Sequence, residues 1–174
     1  MSAKTLNVGV ISLGWMGRLH TRSYKQLQER FPEVDVKINL AVACDPIEET
    51  RRVAVDELGF DRAVSDYREL LADPEIDVVS ICSPNFLHRE IALAAIEAGK
   101  PFWIEKPMGV SAAESREIAE AAEKAGLITG VGFNYRHTPL LRSFVSLSTR
   151  VVSAVSPMCV PGCLPTMRRS PMGR

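Results

Sequence analysis

The chain has 174 residues, 46% of them hydrophobic and 24% charged, with 21 lysines and arginines balanced by 21 aspartates and glutamates. That length holds one domain of ordinary size with an appendage, and two full domains do not fit. The charge balance excludes the basic footprint of a nucleic-acid binder, and no apolar run approaches the roughly 20 residues that span a bilayer. Only Lys4 precedes the first apolar run and no small-residue cleavage pattern is present, which predicts a cytoplasmic protein without a signal peptide. The four cysteines do not frame disulfides. Cys44 and Cys82 fall at predicted strand ends, and Cys159-x-x-x-Cys163 has no matching His or Cys pair, so no metal is expected.

The first apolar run, Leu6 to Ile11, reads as a buried strand that breaks into a turn before a helix from Trp15 to about Arg30. Met16, Leu19, Ser23 and Leu27 form the predicted inner side of that helix. Ser12, Gly14 and Gly17 occupy the three positions of the G-x-G-x-x-G dinucleotide fingerprint. Each position makes its own demand. Gly14 lets main chain approach phosphate oxygens, Gly17 lets the helix pack closely on its strand, and Ser12 stands where a tight turn favours glycine, so it needs a compatible φ. Unpaired amides and a partial positive charge at a helix start suit a pyrophosphate, although an ordinary strand-turn-helix would carry the same local signature.

Leu40 to Cys44 is a second buried strand, reached through a long connection over Glu33 to Asn39, and it finishes in Asp45. An acid there can accept hydrogen bonds from both ribose hydroxyls of NAD, while the nearby Arg51 and Arg52 leave room for the 2'-phosphate of NADP. Asp45, Pro46 and Glu48 also read as the start of a helix to Leu58 that stops at Gly59. Both roles are open at this stage. Ala63-Val64 is a short strand, Asp66 to Leu71 a short helix, and Asp77 to Cys82 a strand with no charge after its first position, as one covered on both faces requires. Ser83-Pro84-Asn85 follows. Asn85 caps a predicted helix from Phe86 to Ala98, and His88 on its first turn is either a structural histidine or one beside the nucleotide crevice.

Pro101 to Ile104 begins the fifth strand, which Glu105-Lys106-Pro107 ends. A lysine just past a buried strand is either a turn residue at the surface or, near a cofactor, a group that exchanges a proton with a substrate hydroxyl as hydride leaves carbon. Ser111 to Glu114 is a capping box for a helix to Ala125 that stops at Gly126, and Leu127 to Phe133 is the sixth strand. The alternation predicts an α/β fold, a doubly wound parallel sheet of Rossmann type, over residues 1–140.

Taken together, SLGWMG at 12–17, Cys44-Asp45, SPNFLH at 83–88, EKP at 105–107 and GFNYRHTP at 132–139 resemble the Gfo/Idh/MocA oxidoreductases, in order, from about Leu6 to Pro139. The resemblance implies NAD or NADP as cofactor and a sugar, inositol or related polyol as substrate. It assigns Gly14, Trp15, Met16, Asp45, Ser83, Asn85, His88, Glu105 and Asn134 to the cofactor, Arg136 to the substrate, and Lys106 to substrate contact and proton transfer. Family members continue into a second α/β domain that completes the substrate site and through which they often form homo-oligomers. Only 35 residues follow Pro139 here. Residues 141–174 hold no aspartate or glutamate, and prolines interrupt any periodicity, so an irregular, disordered tail is expected. The codons for Arg150 to Val160, read one nucleotide earlier, permit GRLGRITHVR, a string like the family's lead into its second domain. A shifted reading frame beginning between about Leu140 and Ser148 accounts for this. The chain is thus expected to be the nucleotide-binding part of a dehydrogenase, inactive alone, or a non-catalytic dinucleotide-binding module.

Overall fold

Strands and helices alternate along residues 4–134, the part of the chain that the computed structural model describes. They are β1 (Lys4–Ile11), α1 (Trp15–Arg30), β2 (Val36–Cys44), α2 (Glu48–Asp56), β3 (Arg62–Val64), α3 (Tyr67–Ala72), β4 (Val78–Ile81), α4 (His88–Glu97), β5 (Phe102–Ile104), α5 (Ala112–Ala125) and β6 (Thr129–Val131). All five strand pairings are parallel, in the order β3-β2-β1-β4-β5-β6. The order reverses between β1 and β4. A doubly wound sheet opens its ligand crevice at such a point, beyond the carboxyl ends of the strands. By their contacts, the described residues up to Phe133 form one compact unit. Arg136 and the tail over 141–174 lie outside the described residues.

Strands covered on both faces carry apolar side chains on both. Ile11, Val42, Ile81 and Ile104 join Leu70, Ile91 and Ile118 in one core layer, while Val8, Val10, Leu40 and Ala43 join Leu13, Ala54 and Phe60 in the other. Fully burying each large aliphatic side chain contributes about 1.5–3 kcal/mol. Between them the two layers fix which face each helix presents to the sheet.

Several boundaries differ from the sequence reading, for physical reasons. β2 begins at Val36 rather than Leu40, because the amino-terminal half of β1 reaches back to pair Lys4 with Val36 and Leu6 with Ile38. The apolar side expected for α1 is inner only in part: Met16 packs on the core and Leu27 is half-buried, but the other two positions are not. Leu19 is 41% exposed and Ser23 is exposed, whereas Gly17 and Thr21 are buried and His20 and Tyr24 are half-buried. Polar groups can line this inner side because each finds a partner, Thr21 Oγ1 donating to Gly17 O at 2.8 Å among them. At the other end of the chain, α5 starts as expected. Ser111 Oγ accepts from Glu114 N at 3.2 Å, Glu114 reaches back to Val110 N at 3.0 Å, and Gly126 stops the helix at φ 66°. β6 is shorter than the predicted Leu127 to Phe133, and Ile128 and Phe133 beside it are exposed. Among the described residues no helix is long and apolar enough to cross a membrane.

Candidate functional site

One row of main-chain hydrogen bonds runs across the carboxyl edge of the sheet. Asp45 N donates to Val64 O, Ser12 N to Cys44 O, Cys82 N to Ile11 O, Glu105 N to Ile81 O and Gly132 N to Ile104 O, at 2.7 to 3.1 Å. In each case the residue just past one strand is tied to the last residue of the next. The glycine turn, Asp45, the 82–85 loop, Glu105-Lys106-Pro107 and Gly132 are therefore brought to one level.

Ser12 meets the demand of the turn by taking φ 69°, a left-handed conformation that costs a non-glycine residue about 1–2 kcal/mol. Its carbonyl is directed at α1. A Cβ on Gly17 would lie 2.0 Å from Ser12 O, so glycine there is a steric requirement. At Gly14, the N-cap of α1, a Cβ would meet nothing within 4 Å. Gly14 thus has open space where a side chain would stand, at the start of a helix whose first amides have no intrahelical acceptor, a position suited to an anion. Trp15 follows at 79% exposure, and Met16 is half-buried behind it.

Asp45 is 5% exposed, and both its carboxylate oxygens are engaged: Oδ2 accepts from Leu13 N at 2.9 Å and Oδ1 from Ile47 N at 3.0 Å. It does not cap α2, which begins at Glu48 with Ile47 before it. Leu13 N, thirty-two residues away, ties the carboxylate to the glycine turn. Arg51 donates to the carbonyls of Asp45 and Pro46, and Arg52 is paired with Glu49 and Asp56.

The loop after β4 also departs from expectation. Asn85 does not cap a helix from Phe86; residues 85–87 form a single 3-10 turn, α4 starts at His88, and the Asn85 amide donates to Pro107 O at 2.7 Å. His88 is 1% exposed, with Nδ1 2.9 Å from Pro107 O and Nε2 2.9 Å from Ser83 O. A neutral ring donates to one of these carbonyls and an imidazolium to both. Either way the imidazole joins the Ser83 loop to the Lys106–Pro107 corner, whose peptide is cis, and its influence on a ligand passes through those two loops. His88→Ala is expected to lower stability by about 3 kcal/mol in urea unfolding, from lost packing and the loss of the imidazole hydrogen bond that joins the two loops; Pro107 O keeps the Asn85 amide as donor. Ser83 Oγ is buried without a protein partner, a polar atom left over at this loop. Lys106 is exposed at the edge, and Asn134 is exposed beyond β6.

The sequence reading missed the groups behind Glu105. That residue is 7% exposed and meets His20 Nε2 at 3.0 Å; His20 Nδ1 lies 3.3 Å from Ser80 Oγ, which lies 2.7 Å from Tyr24 Oη. A histidine and a tyrosine one helical turn apart, with a serine inside an apolar strand, were the signal. Burial raises the Tyr24 phenol above its ordinary value, against the lowering effect of its Ser80 hydrogen bond. Burial likewise pushes the Cys44 and Cys82 thiols up to about 12, assisted by the charges of Asp45 and Glu105 respectively. Neither cysteine supplies a thiolate nucleophile near neutral pH.

Residues 6–133 match the family profile of the Gfo/Idh/MocA proteins, described as an oxidoreductase family with an NAD-binding Rossmann fold. The chain belongs to the Gfo/Idh/MocA oxidoreductase family. Among its relatives, levoglucosan dehydrogenase of Pseudarthrobacter phenanthrenivorans is 40% identical over 139 residues, 78% of this chain and 35% of that protein. Inositol 2-dehydrogenase of Paracoccus denitrificans is 37% identical over 139 residues, 78% of this chain and 39% of that one. A levoglucosan dehydrogenase structure in complex with NADH superposes with a TM-score of 0.73 at 37% identity, covering 76% of this chain and 36% of its own. The resemblance to this family and the doubly wound fold, both expected from the motifs, are thus borne out. The chain spans between 35% and 39% of the length of these curated relatives.

Proposed function

We propose that this chain is the dinucleotide-holding part of an NAD-dependent dehydrogenase that acts on a sugar or polyol hydroxyl. The observation that supports the reading is the open space at Gly14, where α1 starts on the same carboxyl edge of the sheet as Lys106's strand end. Gly14, Trp15 and Met16 would hold the diphosphate, with Ser12 and Gly17 shaping the turn. Asp45 would accept from the adenosine ribose through lone pairs that Leu13 N and Ile47 N leave free, and its charge would repel a 2'-phosphate. Arg51 and Arg52 are both held by other partners, which favours NAD over NADP. Ser83, Asn85, His88, Glu105 and Asn134 would shape the nicotinamide side. The bound nicotinamide supplies a hydride acceptor, or a donor in the reverse direction. Lys106 would take the hydroxyl proton as the carbinol carbon becomes a carbonyl, and Arg136 would orient the substrate.

Titration with NADH and NADPH, followed by fluorescence from Trp15 and Trp103, tests the binding half. Quenching that saturates at a lower concentration with NADH is expected, and no quenching by either at millimolar levels would overturn it. NADH formation with a panel of polyols tests the other half. Lys106→Met should leave NADH affinity within about twofold and remove at least about 100-fold of any turnover. The share of its relatives' length that the chain spans favours a second reading, a nucleotide-binding module without turnover of its own. Binding without NADH formation on any polyol selects it.

A further inference from the structure

We infer that His20 is a positioning residue for Lys106 and acts through Glu105; the inference rests on the role proposed above for that lysine. Glu105 points inward from the end of β5 while the next residue, Lys106, turns outward to the crevice. Among the described residues its carboxylate has one hydrogen-bond donor, His20 Nε2 at 3.0 Å. Gly132 packs against the same carboxylate: a Cβ there would lie 2.6 Å from Glu105 Oε1 and 3.1 Å from Oε2, so glycine at this position leaves the space that the carboxylate occupies.

The proton order along the cluster is fixed by what each group can give. An ionised Glu105 only accepts, so His20 Nε2 carries the hydrogen. Nδ1 of a ring protonated at Nε2 then accepts from Ser80 Oγ, and Ser80 accepts from the Tyr24 hydroxyl. Every donor hydrogen in the row is used once with a single imidazole proton. Tyr24 and His20 sit on α1, the helix that starts at Gly14, and Ser80 sits on β4. The row therefore links that helix to the strand end that carries Lys106. Without His20 the buried carboxylate loses its donor and is driven to turn outward, where it would sit beside the Lys106 ammonium and hold its proton.

The test compares the wild-type chain with His20→Ala and His20→Gln by acetylation at pH 8, reading the rate at Lys106 by mass spectrometry against the exposed lysines as internal standards. Slower labelling of Lys106 in H20A, by about fivefold or more, is expected. Gln places an amide donor near Nε2 and should restore the rate to within about twofold, which separates positioning from a general loss of structure. Unchanged Lys106 labelling in H20A, or a slowed H20Q that melts with the wild type, would overturn the inference. NADH titration of the wild type runs alongside. Its failure would remove the cofactor reading while leaving the labelling comparison to decide the role of His20.

Discussion

Gly17→Ala should lower stability by about 3 kcal/mol and abolish NADH binding, whereas Gly14→Ala should abolish binding with almost no loss of stability. At Gly17 the added Cβ would lie 2.0 Å from Ser12 O and 3.0 Å from Ser12 C, so main chain must move. Ser12 has little freedom to yield. It already sits at φ 69°, and its amide is tied to Cys44 O at 2.7 Å. Overpacking of this kind costs about 1–3 kcal/mol and more where main chain is the obstacle, which for a domain of this size lowers Tm by about 10 °C. At Gly14 the same methyl group meets nothing within 4 Å in the protein and would enter only the space proposed above for the phosphate oxygens. Thermal melts and NADH titrations of the two variants read the contrast. Equal melting temperatures, or G14A binding like the wild type, would remove Gly14 from the proposed phosphate site.

The second large effect is expected at Asp45. Asp45→Ala takes the acceptor from two amides at once, Leu13 N inside the glycine turn and Ile47 N before α2. Leu13 is 1% exposed, so the amide that Asp45 leaves there lacks free access to replacement water. A loss of about 2–4 kcal/mol in urea unfolding follows from two charge-assisted hydrogen bonds. The same substitution should weaken NADH binding and narrow its advantage over NADPH, because the charge that repels a 2'-phosphate is gone. Asp45→Asn retains one acceptor oxygen and presents its amide hydrogens to another donor, so it should fall between alanine and wild type in stability. D45A that unfolds like the wild type would show that Leu13 N does not depend on the carboxylate.

The succession of elements could be read from local signals because each is written within a few residues. The capping of α5 by Ser111 and the stop at Gly126 need nothing beyond their own neighbours. What sequence misplaced was settled by partners far along the chain. Asp45 looks like a helix cap until Leu13 N takes its carboxylate across the gap between two strands. Asn85 looks like another cap until Pro107 O, twenty-two residues on, draws its amide away. The inner side of α1 was misjudged because hydropathy favours Leu19 over His20, and the hydrogen bonds that make His20 welcome inside come from residues 60 and 85 positions later. In the candidate site, the glycine turn and the EKP corner carry their chemistry in residue type and spacing. The row behind Glu105 is visible only once three separate elements converge.

The sheet's outermost strands, β3 and β6, are three residues long, against eight and nine in β1 and β2. A rim that short gives an incoming chain few main-chain groups to template on. Stacking of copies into fibres through these rims is correspondingly disfavoured, even with the apolar side chains of Ile128 and Phe133 on display at one of them.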